Sequence, residues 1–286
     1  MKIITEPSVY VVGRQTVDAG ELDRFLADHG VSWESDSEVA GEVLTETAGR
    51  VCYLSFAKPR PGGNSAYLHH IKEVGHGSVL EHAVWNLLVT GVSRSLTHEL
   101  IRHRAGFGYS QLSQRYVDES VAEYVVPPDM IEEWAHAEAR IESCPGMDHS
   151  PDNAAVFRTE EECIGAVWID AVRIAHEAYE RISNYLTAKA QARGMSGTDA
   201  RKFARQAARS VLPNATETKI FLTGNARALR HFLEMRGSRH ADPEIRKLAC
   251  AVLDVLVKES PNLFGDYRKE PLSDGTFEIT TDYRKA

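Results

Sequence analysis

The spacing of apolar residues predicts helices along most of this chain. Val39, Val43 and Val51 recur near the helical period. A longer amphipathic helix is predicted over 163–190, with one apolar face formed by Ile164, Val167, Ala171, Ile174, Ala178, Ile182 and Tyr185. Further helices are predicted at 19–30, 65–74, 93–104, 130–140, 200–213, 226–236 and 243–260.

Strands are predicted mostly before residue 130. "SVYVVG" at 8–13 and the apolar run "AVWNLLVTG" at 83–91 are typical of strands, and "YVV" at 124–126 ends in two prolines. "LSDGTFEI" predicts a hairpin that turns at Asp274–Gly275. The pattern therefore indicates an α+β fold with a helix-rich C-terminal half. Since no linker interrupts it, we expect one domain over residues 1–286.

Charge and cysteine content narrow the possible partners. With a formal net charge of −8 and a pI near 5.9, the chain is not expected to bind nucleic acid broadly. Four scattered cysteines without a CxxC pair favour reduced thiols and a cytoplasmic location. No apolar run approaches the roughly 20 residues of a membrane span, so no membrane association is expected.

Several familiar kinds of active site are not indicated. His98 and His103 in "THELIRH" are five residues apart, which on one helix turns them about 140° from each other, so no metal site is predicted. Neither a G-x-G-x-x-G dinucleotide motif nor a G-x-S-x-G nucleophile motif is present. Nothing near Cys52 in the sequence suggests an activated thiol, so a structural cysteine is the simpler interpretation.

With these sites set aside, arginine is the side chain that most clearly indicates a binding site. The segment "RHRAGFGYSQLSQRY", residues 102–116, contains three arginines, one histidine and no carboxylate. Guanidinium groups bind phosphate and carboxylate through two parallel hydrogen bonds. A small anion, held locally, is therefore expected here. Arg201 and Arg205, on a later helix, are equally consistent with a solvated face.

These residues resemble those of the flavin-dependent thymidylate synthases (ThyX), whose signature is RHR, seven residues, then Ser. "GHGSVLEH", "RQAARSVLPNATET", "TGNARALRHF" and "MRGSRHADPEIR" resemble further blocks of that family in the same order. The resemblance implies a ThyX-like fold, an antiparallel sheet packed with several helices. It also implies a homotetramer with active sites at subunit interfaces. FAD, methylenetetrahydrofolate and NADPH would serve the C5 methylation of a uridine 5′-monophosphate, dUMP above all.

The resemblance also implies roles for individual residues. The positions matching FAD contacts are Ser78, Arg102, His103, Arg104, Gln111, Asn225 and His231. The positions matching nucleotide contacts are Arg94, Glu99, Gln111, Ser113, Gln114, Arg115, Lys202, Arg209 and Arg236. Among them, Arg236 matches the arginine at the uracil edge and is the expected catalytic residue. His76 matches a histidine near the folate and NADPH pocket.

The chain departs from the family pattern in two places. Eight residues, not seven, separate Arg104 from Ser113. Glycine at 106 and 108 suits a bulged loop with both flanks in register, while an altered nucleotide pocket is the competing interpretation. The segment 134–160 is longer than is typical and is expected to be an inserted surface excursion.

Two alternative functions stay open at this point. A widened ribose pocket would admit UMP, alone or beside dUMP, as in the ThyX-like enzymes of nucleoside-antibiotic pathways. A non-catalytic flavin- or nucleotide-binding regulator is the more remote alternative.

Overall fold

The computed structural model describes residues 2–58 and 61–284. The chain divides into two compact units. Unit 1 comprises Met1–Pro7, Thr90–His98 and Gln111–Lys219, and unit 2 comprises Ser8–Val89, Glu99–Ser110 and Ile220–Ala286. The expectation of one domain over residues 1–286 stays a prediction. Among the described residues, no helix has both the length and the apolar character that crossing a membrane requires.

Helix and strand together make a mixed α+β fold, as the sequence predicts. The helices are α1 Ala19–Asp28, α2 Ala40–Tyr53, α3 Gly63–Glu73, α4 Arg94–Leu100, α5 Ile131–Ser143, α6 Glu160–Ala192, α7 Gly197–Ala208, α8 Ala226–Arg236, α9 Pro243–Glu259 and α10 Pro261–Phe264. The strands are β1 Lys2–Ile4, β2 Ser8–Arg14, β3 Val84–Ser93, β4 Phe107–Gln111, β5 Glu123–Val125, β6 Glu217–Asn225, β7 Arg268–Pro271 and β8 Phe277–Thr280.

A four-stranded sheet in the order β2-β3-β6-β4 carries the residues of interest. The backbone N–H of Asn225 donates to the carbonyl of Gly106 at 3.1 Å, and that of Leu112 donates to the carbonyl of Lys219 at 2.9 Å. Five residues lie between Gly106 and Leu112, and five lie between Lys219 and Asn225. β4 and β6 are therefore antiparallel, and their pairing contains no bulge between these two bonds.

Two smaller sheets complete the strands that are described. β1 pairs with β5 in parallel, and β7 pairs with β8 in antiparallel. The β7–β8 connection contains Gly275, whose φ of 77° is left-handed, so the predicted hairpin turn at Asp274–Gly275 is confirmed.

The sequence-based prediction was wrong at the end of α4 and missed strand β6, both near the arginine motif. The helix predicted over 93–104 ends at Leu100, so Arg102, His103 and Arg104 lie beyond it. The angular argument made for His98 and His103 therefore does not apply. Strand β6 was not predicted, although Ile220, Leu222 and Gly224 are buried at alternate positions along it.

The long helix predicted over 163–190 is confirmed as α6, which extends further at its N-terminus. A capping box closes that end, because Thr159 and Glu162 exchange side-chain and backbone hydrogen bonds. The predicted apolar face is largely open in the single chain, with Ile164, Val167, Ile174 and Tyr185 between 47% and 64% exposed.

The segment 134–160 contains most of α5 and the loop that follows it. α5 packs against α6 within unit 1. A small core joins these parts, formed by Ala137, Val156, Phe157 and Ala166. The segment thus has buried packing of its own, and its interpretation as an inserted surface excursion stays a prediction.

Candidate active site

Within unit 2, the RHR residues occupy a turn directly after α4. The backbone N–H of Arg102 donates to the carbonyl of Glu99 at 3.2 Å, and that of His103 donates to Leu100 at 3.1 Å. Both arginines are exposed because the helix has already ended. They border a cavity of about 430 Å³ whose lining is Arg102, His103, Arg104, Ala105, Phe107, His231, Met235 and Arg236.

Arg236 links two other predicted site residues at this cavity. It is the last residue of α8, and its Nη1 donates to Glu99 Oε2 at 2.6 Å. Its Nε donates to His103 Nε2 at 2.9 Å. Glu99 and His103 thus fix the plane of the guanidinium, as a site that must present a cation in one orientation requires.

His103 is an uncharged acceptor in this arrangement. Burial, together with the charges of Arg236 and His231, lowers its pKa to about 4. The Arg236 contact uses the Nε2 lone pair, so the neutral ring carries its proton on Nδ1. The Tyr109 hydroxyl donates to the carbonyl of His103 at 2.9 Å, which holds the backbone of the turn.

A second cavity of unit 2, of about 230 Å³, is lined by two further predicted flavin residues, Asn225 and His231. Its lining is Glu81, Ala105, Gly106, Asn225, Arg227, Ala228 and His231. Asn225 caps α8, because its Oδ1 accepts from the backbone N–H of Ala228 at 2.8 Å. Ala105 and His231 line both cavities.

Ser78 and His76 are less closely tied to these cavities. Ser78 is exposed in a short 3-10 helix, Gly77–His82, and lines neither of them. His76 precedes that helix and stacks on Tyr53, with ring centroids 6.4 Å apart and an interplanar angle of 20°. The predicted flavin contact of Ser78 therefore stays a prediction.

Within unit 1, the predicted nucleotide residues gather around the loop that follows β4. Gln111 Nε2 donates to Thr97 Oγ1 at 3.1 Å and to Thr218 Oγ1 at 3.3 Å. Arg94 Nη1 donates to the carbonyl of Leu112 at 3.3 Å. These contacts fix the start of the loop to α4 and β6.

Ser113 organises the turn of this loop. Its carbonyl accepts from the backbone N–H groups of Tyr116 and Val117, and its hydroxyl accepts from the N–H of Arg115 at 3.4 Å. Gln114 is buried. The Nε of Arg115 is buried without a hydrogen-bond partner among the described residues, so a donor is left free at this loop.

Helix α7 contributes Lys202 and Arg205 to the same loop. Lys202 Nζ lies 4.8 Å from the ring centroid of Tyr116, whose pKa is lowered by a hydrogen bond from Lys202. Arg205 donates to the Tyr116 carbonyl at 2.8 Å and to Asp118 Oδ2 at 2.6 Å. A solvated face is therefore the wrong interpretation for Arg205, since it ties α7 to the loop.

Arg209 and Arg94 share one electrostatic neighbourhood with a carboxyl that the sequence did not indicate. Burial lowers the pKa of Arg94, Glu119 opposes this shift, and Arg209 adds to it. Glu119 is 4% exposed, and its Oε1 has no hydrogen-bond partner among the described residues. No spacing in "YVDESVAEY" marks Glu119, because its burial arises from tertiary packing.

The Glu119 carboxyl titrates near neutral pH. Burial raises its pKa to about 7, Arg94 opposes the shift, and Glu217 adds to it. At physiological pH, Glu119 is therefore present in both its protonated and its ionised form. It interacts with Arg94, which is predicted to face the nucleotide.

Comparison with known proteins supplies the family. Residues 36–262 match the family described as Thy1, "Thymidylate synthase complementing protein". A "Flavin-dependent thymidylate synthase" of Mycolicibacterium gilvum (strain PYR-GCK) is 47% identical over 259 residues, which cover 90% of this chain and 91% of the relative. One of Mycobacterium leprae (strain TN) is 45% identical over 262 residues, with 90% and 91% covered.

Solved structures show the same fold. The UMP/dUMP methylase PolB from Streptomyces cacaoi bound with 5-Br dUMP superposes with a TM-score of 0.60 at 22% identity, covering 93% of this chain and 96% of that one. PolB bound with 5-Br UMP gives a TM-score of 0.57 at 22% identity, covering 92% and 94%. At this identity the likeness concerns the fold alone.

The first prediction concerns the free energy of unfolding of Glu119→Gln. The folded state disfavours ionised Glu119, so the wild type loses stability as pH rises from about 4.5, where the unfolded chain ionises, through about 7. Glutamine cannot ionise. The free energy of unfolding of the variant should therefore exceed that of the wild type by on the order of 3 kcal/mol at pH 8, and by little at pH 4.5.

Urea unfolding at the two pH values measures this difference. The exposed Glu177→Gln on α6 serves as a control that should shift little at either pH. A pH-independent difference between Glu119→Gln and the wild type would show that folding does not raise the pKa of Glu119.

Proposed function

Since this chain belongs to the flavin-dependent thymidylate synthases, we propose that it methylates C5 of dUMP to give dTMP, using FAD, methylenetetrahydrofolate and NADPH. The one-carbon unit would come from the folate and the reducing electrons from NADPH. UMP, alone or beside dUMP, is the second candidate acceptor. A regulator without activity is disfavoured, because the relatives that cover nine-tenths of the chain are enzymes.

One observation carries this proposal: three guanidinium groups, from Arg102, Arg104 and Arg236, line a single cavity of about 430 Å³. The cluster is cationic in a chain whose formal net charge is −8. Its donors suit the phosphates of a dinucleotide and an anionic heterocycle, so the residues present fit a flavin cofactor. The smaller cavity, with Asn225 and His231, suits the remainder of that cofactor.

The loop after β4 is the proposed site for the nucleotide monophosphate. Ser113, Gln114 and Arg115 form it, with Arg94, Lys202 and Arg209 nearby in unit 1. The buried Nε of Arg115 lacks a partner among the described residues, and a phosphate oxygen would satisfy it. Gln111, which the resemblance also assigns to FAD, is fixed at the start of this loop by its bonds to Thr97 and Thr218.

Arg236 is the residue proposed to assist the chemistry. A fixed cation beside the uracil ring stabilises negative charge that develops as C5 becomes nucleophilic. Glu99 and neutral His103 would hold this cation in one orientation before the substrate binds. The flavin supplies hydride transfer when bound. The exposed ring of His76, stacked on Tyr53, is the proposed platform for the pterin of the folate.

The acceptor is identified by comparing kcat/KM for dUMP and UMP with FAD, methylenetetrahydrofolate and NADPH present. We expect methylation with a higher kcat/KM for dUMP. A pocket not built against a hydroxyl rejects it only weakly, on the order of a hundredfold. A higher kcat/KM for UMP would replace the proposed acceptor, and turnover of neither nucleotide by FAD-loaded protein would overturn the proposed function.

The role of Arg236 predicts the effect of Arg236→Ala. Loss of one preorganised charge should lower kcat on the order of a hundredfold or more, with FAD still bound. Arg239→Ala is the matched control, since Arg239 lies three residues further on and pairs with Glu278. Methylation at the wild-type rate by Arg236→Ala would exclude the catalytic assignment.

Assembly of several copies is part of the proposal, as a homotetramer with active sites at subunit interfaces. The exposed apolar face of α6 supports it, because it runs from Ile164 to Tyr185, about 30 Å at the helical rise per residue. An apolar surface of this length is typical of an interface between protein chains. A second copy of the same helix would present an identical face, as a two-fold interface requires.

Ile174→Asp is expected to break this assembly. A carboxylate in the middle of the α6 face would lose its hydration on association without gaining a partner. Light scattering after gel filtration should show a tetramer for the wild type and smaller species for the variant. Met147→Asp, at an exposed methionine outside α6, should remain a tetramer. An intact Ile174→Asp tetramer would assign the interface to another surface.

A further inference from the structure

Backbone pairing locates the extra residue between Arg104 and Ser113, where the chain has eight residues and the family pattern has seven. The two hydrogen bonds that join Gly106 to Asn225 and Leu112 to Lys219 enclose equal lengths of β4 and β6. An added residue inside that stretch would leave one strand longer than the other. The extra residue between Arg104 and Ser113 therefore lies before Gly106 pairs, and the loop that begins at Ser113 is not lengthened.

A tight turn at Arg104–Phe107 accommodates it. The backbone N–H of Phe107 donates to the carbonyl of Arg104 at 3.2 Å, and Gly106 has a φ of 74°. A left-handed residue at the third position of such a turn is the arrangement in which glycine is preferred. Ala105, at the second position, is exposed.

Gly106 is also in close contact with the cap of α8. A Cβ on Gly106 would lie 2.7 Å from Asn225 Nδ2 and 2.7 Å from the Cβ of Ala228. Asn225 therefore keeps its cap geometry only while residue 106 has no side chain. The Asn225 side chain and Gly106 line the same cavity, and Ala105 lines both cavities of unit 2.

We propose that Gly106 is a positioning residue for the flavin, and that the one-residue insertion changes how the chain holds FAD rather than which uridine nucleotide it accepts. This inference rests on the proposed function. The turn touches Asn225 and adjoins His231 and Arg104, which are assigned to the flavin. The proposed phosphate loop starts after β4 and is held by contacts of its own, from Ser113 to the backbone of Tyr116 and Val117.

The test uses Gly106→Ala in the full chain, with two glycine controls. Gly108→Ala places a methyl group 3.9 Å from its nearest neighbour, Thr223, and should have no effect. Gly30→Ala has the same left-handed strain, at a φ of 64°, with nothing within 4 Å, and it isolates the effect of strain on stability. Each variant is titrated with FAD by fluorescence, and dUMP affinity is measured on FAD-saturated protein.

Gly106→Ala is expected to raise the Kd for FAD at least tenfold and to leave the Kd for dUMP and the kcat/KM ratio of dUMP to UMP within twofold. Ala105→Leu separates flavin binding from folding. Ala105 is exposed and lines both cavities, so a leucine there would add bulk to them without backbone strain. It should weaken FAD binding in the same way. Gly30→Ala and Gly108→Ala should bind FAD as the wild type does.

Unchanged FAD affinity in both Gly106→Ala and Ala105→Leu overturns the inference, as does an altered dUMP to UMP ratio with normal FAD binding. Failure of the proposed function is distinguishable from either result, because then the wild type itself would take up no FAD or methylate neither nucleotide.

Discussion

The antiparallel pairing of β4 with β6 is the constraint on which the site depends. One end of this pairing joins Gly106 to Asn225, and the other joins Leu112 to Lys219, at the start of the loop proposed to bind phosphate. Because backbone hydrogen bonds fix register residue by residue, neither end can shift by one position without reversing the side chains of the strand. A change in motif length must therefore appear as a turn outside the strand, where glycine permits it.

Electrostatics sets the second condition. Three arginines border one cavity, and the chain keeps Arg236 in place with one carboxylate and one neutral imidazole. A second carboxylate at His103 would neutralise more of the charge, while a protonated imidazole would repel the guanidinium. Burial keeps the pKa of His103 at about 4, so the imidazole orients Arg236 and leaves its charge available to a ligand.

Much of the fold follows from periodicity. The long helix α6, helices α8 and α9 and the hairpin at Gly275 carry strong local signals, and the structure has each of them. The end of α4 at Leu100 had no such signal, because "IRHR" contains no glycine or proline that would end a helix. β6 was missed because Phe221 stands at a solvent-facing position between buried Ile220 and Leu222, so the alternation in "KIFLTG" is weak.

Some residues of the candidate site could be predicted from the sequence and others could not. Motif residues such as Arg102, Ser113 and Arg236 could be named from the sequence through the family pattern. Glu119 and Arg205 could not, since burial of one and the loop contacts of the other depend on packing between segments far apart in the chain. The period of α6 predicts its apolar face, but no periodicity says whether another copy covers that face.

A single turnover of FAD-loaded protein tests the central claim most directly. The protein would be reduced anaerobically with NADPH, freed of excess nucleotide, and mixed with methylenetetrahydrofolate and dUMP carrying tritium at C5. We predict that tritium appears in water and that thymidylate forms as the flavin returns to its oxidised spectrum. Flavin that is reduced and reoxidised without tritium release or a C5-methylated product, with dUMP and with UMP, would contradict the assignment of this chain as a uridylate methylase.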